Sequence, residues 1–167
     1  VPAESPPAPA PVQPTAVSPE GRITPGCTGL WNDIQAEAWA PIATGIKKAG
    51  AVPGIQIGHA GRKASAELPW KGGKHIPDSD PRGWDIIAPS AVPFGGDLPK
   101  VPHAMGTREI LRVRADFASA AERAREAGFE WLVLHFAHGY LGHSFFSPHA
   151  NQRTDEYGGS AENRGRF

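Results

Sequence analysis

The chain has 167 residues, and its 17 Lys and Arg residues balance 17 Asp and Glu residues, so it carries no basic excess for nucleic acid and no acidic tail. Its single cysteine, Cys27, excludes a disulfide framework within the chain and favours a reducing, cytoplasmic compartment. No apolar run is long enough to span a membrane, so we expect no membrane partner.

The first fourteen residues are rich in proline and alanine and show no apolar periodicity. Such a composition is typical of an extended tail or linker rather than of a packed core. We therefore expect residues 1–14 to be a disordered leader and residues 15–167 to form one domain.

A helix is predicted over about residues 33–49, with Asn32 or Asp33 as its cap and Gly50 just beyond its last turn. Its apolar residues repeat at intervals of three and four and therefore form one stripe, which consists of Trp39, Ile42, Ala43 and Ile46.

The segment AVPGIQIGHAG, residues 51–61, predicts a short strand that ends in glycine. Ile55 and Ile57 alternate onto one face of this strand, whereas Gly54, Gln56 and Gly58 lie on the other. A glutamine among such small residues is unusual in a plain core strand, so Gln56 calls for a separate explanation.

Residues 60–106 are polar and rich in Pro, Gly and Trp, and a loop of that length usually carries function or is disordered. A second helix is predicted over about residues 108–127, with Thr107 as its cap and Gly128 after its end. Its buried stripe consists of Ile110, Val113, Phe117, Ala120, Ala121 and Ala124.

The segment FEWLVLHF, residues 129–136, predicts a strand, and its continuous apolar run is typical of a parallel strand buried on both faces. The final segment SAENRGRF predicts a further helix with Ser160 as its cap. Helices and strands thus alternate, which predicts a parallel α/β fold, either a barrel or a doubly wound sheet, with functional loops after the strands.

The segment HFAHGYLGH, directly after the last apolar run, concentrates polar chemistry. We expect His135 to end the strand and His138 and Tyr140 to follow on the turn, so that all three converge above the strand's carboxyl end. Two imidazoles can donate hydrogen bonds to one developing oxyanion, and a tyrosine can supply a proton. Purely structural histidines remain an alternative interpretation at this stage.

The remaining polar residues suggest three further interpretations. Metal binding by His135, His138 and His143 is disfavoured, because the familiar zinc helix places its histidines four residues apart. The charges in NQRTDEYGGS indicate a hydrogen-bonded network that fixes a loop. The segment GHAGRKAS lacks the spacing of known phosphate-binding loops.

Four segments together resemble the old yellow enzyme family, FMN-dependent NAD(P)H oxidoreductases also called ene-reductases, and most nearly its bacterial YqjM-like branch. These segments are TAVSPEGRITPG, GIQIGHAGRKAS, APSAVPF and HFAHGYLGHSFFSPHANQRTDEYGGSAENRGRF. The resemblance extends, in order, over about residues 15–167, and its last segment is highly specific.

The resemblance implies a (β/α)8 TIM barrel with FMN at its carboxyl-terminal mouth, reduced by NAD(P)H and passing hydride from flavin N5 to activated alkenes such as α,β-unsaturated carbonyls. His135 and His138 match the pair that holds the substrate carbonyl oxygen, and Tyr140 matches the tyrosine that protonates the α-carbon. Gln56 matches a glutamine that hydrogen-bonds the flavin ring. The implied partner is a small enone-type molecule, and the full-length family admits homo-oligomers.

The sequence departs from the family pattern in several ways. A complete barrel needs about 200–400 residues, so we expect an internal fragment running from the end of the second strand into the fourth helix. The segments for the first strand and for the FMN phosphate site are not found. Pro14 stands where a small residue offers a backbone N–H to the flavin, and proline has none. Leu134 and Phe136 also differ from the usual residues.

Two hypotheses therefore remain. The chain is a segment of an FMN-dependent ene-reductase, or it is a truncated, non-catalytic remnant that cannot hold FMN alone. Open sheet edges in a partial barrel would favour the second hypothesis, because unpaired strands tend to aggregate or to pair with another chain.

Overall fold

A computed structural model describes residues 9–167 of the chain. Its strands and helices, in chain order, are β1 (Pro9–Ala16), α1 (Asp33–Lys48), β2 (Val52–Gly58), β3 (Ile87–Ala88), β4 (His103–Ala104), α2 (Thr107–Glu126), β5 (Trp131–Leu134), α3 (Leu141–Phe146) and α4 (Ala161–Arg164). None of the helices in these described residues combines the length and apolar character needed to cross a membrane.

The main sheet has three strands in the order β1-β2-β5, and both neighbouring pairs are parallel. Helices α1 and α2 connect these strands and pack against β2, as parallel connections require. The predicted parallel α/β architecture is therefore confirmed. Within residues 9–167 the sheet is open and does not close into a barrel.

Strand β1 corrects the predicted boundary at residue 14. Residues 9–14 lie in this strand and pair with β2, so the expected lack of structure is wrong for them, while residues 1–8 of the predicted leader lie outside the described residues. Proline suits an extended backbone at a sheet edge, where a missing N–H breaks no ladder bond. β1 is such an edge strand.

The main core lies between the sheet and the two long helices. Ile55 and Ile57 are fully buried, as their shared strand face predicted, and Ala43 of α1 packs on the same cluster. The α1 residues in contact with this core are Ala36, Trp39, Ala40 and Ala43. Ile42 falls beside that row and is 44% exposed, so its predicted place in the stripe is wrong.

The second long helix follows its predicted stripe closely. Ile110, Val113, Ala120 and Ala124 are buried, and Phe117 and Ala121 pack at the margin. Gly106 rather than Thr107 occupies the cap position, where its N–H donates to Glu109 Oε2 at 2.8 Å. Gly128 has a φ of +95°, as expected for the glycine that ends a helix.

Strand β5 differs most from its prediction. Trp131, Leu132 and Leu134 are 53%, 42% and 51% exposed, so the strand is not buried on both faces. It pairs with β2 on one side and forms the other edge of the sheet. The apolar run thus has the composition of a central strand, but in the described residues β5 has only one neighbouring strand and so stays exposed on its other side.

Residues 60–106 form an ordered segment rather than a featureless loop. Short strands β3 and β4 pair in parallel, and Ile87 of β3 belongs to a second core with Met105, Leu141 and Phe145. This segment therefore packs beside the carboxyl-terminal edge of the sheet, next to α3. The predicted cap of the last helix is confirmed, because Ser160 Oγ accepts a hydrogen bond from Asn163 N.

Candidate active site

His135 lies directly after β5, and its backbone N–H continues the sheet by donating to Ile57 O at 2.9 Å. Its side chain sits beside Gly58, where a Cβ atom would come within 3.2 Å of His135 Cβ. Burial lowers the pKa of His135, and the neighbouring His138 and Lys63 lower it further. The imidazole is therefore neutral at neutral pH and presents a single N–H donor.

His138 lies on the tight turn that follows. Its φ of +55° is uncommon for a residue with a side chain, and Gly139 beside it has a φ of +79°. This backbone reversal brings the His138 ring to 5.2 Å from the His135 ring, measured between centroids. The predicted pair of imidazoles is thus brought together in the structure.

Tyr140 completes the cluster. Its ring centroid lies 4.6 Å from that of His135, and the residue is half-buried. Burial raises the pKa of Tyr140, and Cys27 nearby adds to this effect. The phenol therefore keeps its proton at neutral pH, which is the state that a proton donor needs.

Three hydrogen bonds hold the backbone of this turn. His143 Nδ1 accepts from Gly139 N at 2.7 Å, Ser144 Oγ donates to Gly139 O at 3.1 Å, and Tyr140 N donates to Ala137 O at 3.1 Å. His143 thus holds the turn through its Nδ1. Among the described residues, no group of three or more His, Cys, Asp or Glu could hold a metal ion.

Gln56 lies in the middle of β2, in register with Val133 of β5 and on the face opposite Ile55 and Ile57. It is half-buried, unlike the two isoleucines, which are completely buried. The structure therefore places Gln56 on the strand that neighbours β5, opposite the residue two positions before His135.

A small cavity of about 20 Å³ opens where β1, β2 and His135 end. Its small and apolar walls come from the ends of β1 and β2 and from the segment after β1, and His135 and Tyr140 form one side. Its lining residues are Pro14, Thr15, Ala16, Gly21, Arg22, Ile23, Cys27, Gly58, His59, Ala60, His135 and Tyr140. Two of the predicted site residues thus share one cavity, at the sheet edge where parallel strands of α/β proteins build their sites.

Sequence analysis missed Arg22 and Lys63 as residues of this region. Arg22 lines the pocket and is held between the rings of Trp31 and Trp84, at 5.8 and 4.8 Å from their centroids. Lys63 lies above Tyr140, 5.1 Å from the ring centroid. No local spacing pattern marks either cation, because its aromatic partners lie elsewhere in the chain.

The charged segment after α3 is a brace, as predicted. Arg153 Nη1 donates to Pro89 O at 3.0 Å and also to Met105 O, and its Nε donates to Asp155 at 2.9 Å. This hydrogen-bonded arginine lowers the pKa of Asp155. Asn151 Nδ2 donates to Phe145 O and to Tyr157 O, both at 2.7 Å. The segment therefore ties α3 to the 60–106 region.

Comparison with known proteins gives consistent matches. The model of the NADH:flavin oxidoreductase / NADH oxidase family matches residues 10–167. The chain is 46% identical over 155 residues to an NADH:flavin oxidoreductase of Gibberella zeae, and 46% identical over 156 residues to an NADPH dehydrogenase of Bacillus velezensis. These alignments cover 92% and 93% of the chain, but 38% and 41% of the two relatives.

A solved structure shows the same likeness. Morphinone reductase superposes with a TM-score of 0.80 at 30% sequence identity, over 95% of this chain and 43% of that protein. The chain therefore spans about two fifths of the length of the relatives it matches.

Proposed function

Because this chain belongs to the NADH:flavin oxidoreductase / NADH oxidase family, we propose that it carries the substrate-binding part of an FMN-dependent, NAD(P)H-driven ene-reductase site. The proposed substrates are activated alkenes, above all small α,β-unsaturated carbonyl compounds. The observation that carries this proposal is the cluster of His135, His138 and Tyr140 at the carboxyl end of the parallel sheet. The names of the curated relatives, NADPH dehydrogenase and NADH:flavin oxidoreductase, support it.

In this proposal His135 and His138 bind the substrate carbonyl oxygen. Their rings lie 5.2 Å apart between centroids, a separation that lets one N–H from each approach a common oxygen. Donation to this oxygen draws electron density from the alkene and stabilises the negative charge that forms there during reduction. The lowered pKa of His135 keeps its imidazole neutral, so that it stabilises this charge by a hydrogen bond and leaves protonation of the substrate to another group.

Tyr140 is the proposed proton donor to the α-carbon. It touches His135, so a substrate held by the imidazoles would lie within reach of the phenol. Its raised pKa keeps the O–H intact until the carbanion-like carbon forms. The roles of the three residues are thus separate: two orient and polarise the carbonyl, and one delivers the proton.

The cavity itself is too small to enclose a planar aromatic cofactor, which would instead lie over its mouth, beside His135 and Tyr140. Gln56 on β2 lies outside the cavity lining and carries an amide of the kind that hydrogen-bonds ring nitrogens and carbonyls. Gln56 is accordingly the proposed cofactor-binding residue. When bound, FMN supplies the hydride for the alkene, and NAD(P)H restores it. Pro14 offers no backbone N–H at this wall.

The test is to purify the chain with added FMN, record its visible absorbance, and follow NADPH-dependent reduction of 2-cyclohexenone under anaerobic conditions. We expect a bound-flavin spectrum and enone reduction, with His135→Leu lowering the rate by about tenfold to a hundredfold through loss of one oxyanion donor. His149→Leu is the matched control, because His149 is an exposed histidine outside the pocket. Equal rates for the two variants would contradict the role of His135.

A second candidate is a chain that cannot retain FMN by itself. The open edge of β5, with Trp131 and Leu134 about half exposed, favours this candidate, because the sheet beside the site is incompletely covered. The same experiment separates the two: a colourless protein that does not consume NADPH after incubation with FMN would establish the second candidate and exclude catalysis by this chain alone.

A further inference from the structure

Lys63 lies at the end of the 3-10 helix Gly61–Lys63, immediately after β2, yet its ammonium group reaches the turn after β5. Its Nζ donates a hydrogen bond to His138 O at 3.2 Å. The same Nζ lies 5.1 Å from the ring centroid of Tyr140 and 4.8 Å from that of Phe94. These three contacts place the Lys63 ammonium group between the turn after β5 and the ring of Phe94.

The turn that Lys63 contacts is the part of the site with the least common backbone. His138 and Gly139 both have positive φ, and residues with side chains adopt this region only when their surroundings hold them there. His143 and Ser144 bind Gly139 from α3, the helix that directly follows the turn. Lys63 supplies the bond to His138 O from a segment 75 residues earlier in the chain.

The ring of Phe94 covers the His138–Gly139 turn. A Cβ atom at Gly139 would come within 2.5 Å of Phe94 Cε2, so the ring lies directly on the turn. Arg62 fixes the segment before this ring, because its Nη1 donates to Val92 O at 3.3 Å and Pro93 O at 3.0 Å. The residues adjoining β2 therefore hold the histidine turn from outside through Lys63 and Phe94.

We propose that Lys63 is a positioning residue of the proposed reductase site, which holds the His138–Gly139 turn and keeps His135, His138 and Tyr140 in one arrangement. The inference rests on the proposed function for its catalytic meaning, but the contacts that carry it are properties of the chain itself. Lys63 does not have to touch a substrate in this role. It acts through the carbonyl of His138 and the face of Tyr140.

The charge of Lys63 has a second effect on the same cluster. Among the described residues, the charged or titratable groups around His135 are His138 and Tyr140 on its own loop and Lys63 from the segment after β2. Arg22, Cys27 and His59 line the same cavity from β1, β2 and the segments after them. An ammonium group nearby disfavours protonation of an imidazole. Lys63 therefore helps to keep His135 neutral, in addition to holding the turn.

The test compares Lys63→Met with Lys63→Arg by NMR on the purified chain without added flavin. In Lys63→Met we expect amide hydrogen exchange at Gly139 and Tyr140 to accelerate by roughly fivefold, the effect of losing one partly exposed hydrogen bond. We also expect the pKa of His135 to rise. Lys63→Arg, which retains a charged donor, should restore both properties, and Lys71→Met is the control for loss of an exposed charge elsewhere.

Unchanged exchange and unchanged His135 titration in Lys63→Met would overturn the inference, as would Lys63→Arg behaving like Lys63→Met. If Lys63→Met does not yield folded protein, the same two measurements on Lys63→Gln decide the matter. Neither measurement requires bound FMN or turnover, so failure of the positioning role and failure of the reductase function are separate results.

Discussion

At the scale of single residues, Tyr140 provides the sharpest test of the proposed chemistry. Tyr140→Phe removes the phenolic proton and keeps the ring that contacts His135 and Lys63. We expect enone reduction to fall by about a hundredfold, the usual contribution of a positioned acid. Flavin absorbance should stay at the level of the unmodified chain. A variant that reduces the enone at the original rate would assign the proton to another donor, such as water.

Glu20 gives a residue-scale prediction about pH. Burial by itself would raise the pKa of Glu20, but His59, the backbone and Arg112 outweigh it and lower the pKa from 4.5 to about 2. Of the two side chains, Arg112 is the stronger partner, because its Nη1 is 2.7 Å from Glu20 Oε1, whereas His59 Nε2 is 3.9 Å away, beyond direct hydrogen-bond range.

A carboxylate whose folded pKa is depressed stabilises the fold above its unfolded pKa and loses that effect as the pH falls towards the folded value. We therefore expect the free energy of unfolding to decrease by about 1–2 kcal/mol between pH 5 and pH 2 through Glu20, after allowance for its partial exposure. Glu20→Gln should lack this part of the pH dependence in urea titrations. Parallel pH curves for the two proteins would refute it.

At the scale of elements, β2 and β5 pair directly but differ in burial. Ile55 lies opposite Leu132 in the register, and Ile55 is fully buried while Leu132 is 42% exposed. Ile55→Ala should cost about 3 kcal/mol of unfolding free energy, because it leaves a cavity in the core, whereas Leu132→Ala should cost less than about 1 kcal/mol. Chemical denaturation measures both, and equal losses would contradict the described burial.

The same contrast explains which elements the sequence could reveal. Periodicity predicted α2 and the buried face of β2, because Ile110, Val113 and Ile55 have neighbours that follow from local spacing. It placed β5 wrongly in the interior, since strand composition does not state whether a second neighbour exists. It also left residues 9–14 without structure, because alternating prolines at a sheet edge resemble a linker.

The candidate site divides in the same way. His135, His138 and Tyr140 are close in the sequence, and their place after a strand was sufficient to predict that they converge. Lys63 and Phe94 reach the turn from segments tens of residues away, and no local pattern encodes such contacts. Sequence therefore predicted the groups proposed for the chemistry, and the structure was needed to find the groups that hold them.

At the scale of the whole molecule, the unpaired edge of β5 should govern solution behaviour. Exposed apolar residues on an unpaired strand favour association between chains. We expect Leu134→Lys to reduce self-association, measured by light scattering after gel filtration over a range of protein concentrations. Leu111→Lys is a matched control, because Leu111 on α2 is 52% exposed and Leu134 is 51% exposed. Equal effects would indicate that general charge, rather than the strand edge, controls solubility.

The two edges of the sheet are chemically unequal. Proline cannot donate a hydrogen bond, and β1 contains Pro9, Pro11 and Pro14, so this edge offers a further strand fewer donors than β5 does. Thr28, Gly29 and Leu30 contact the end of the same strand through Ala16. The sheet therefore accepts a further strand more readily at the β5 edge than at the β1 edge. Two copies joined through β5 would present a proline-rich strand at both outer margins, so assembly by this route terminates at a pair instead of propagating into a fibre.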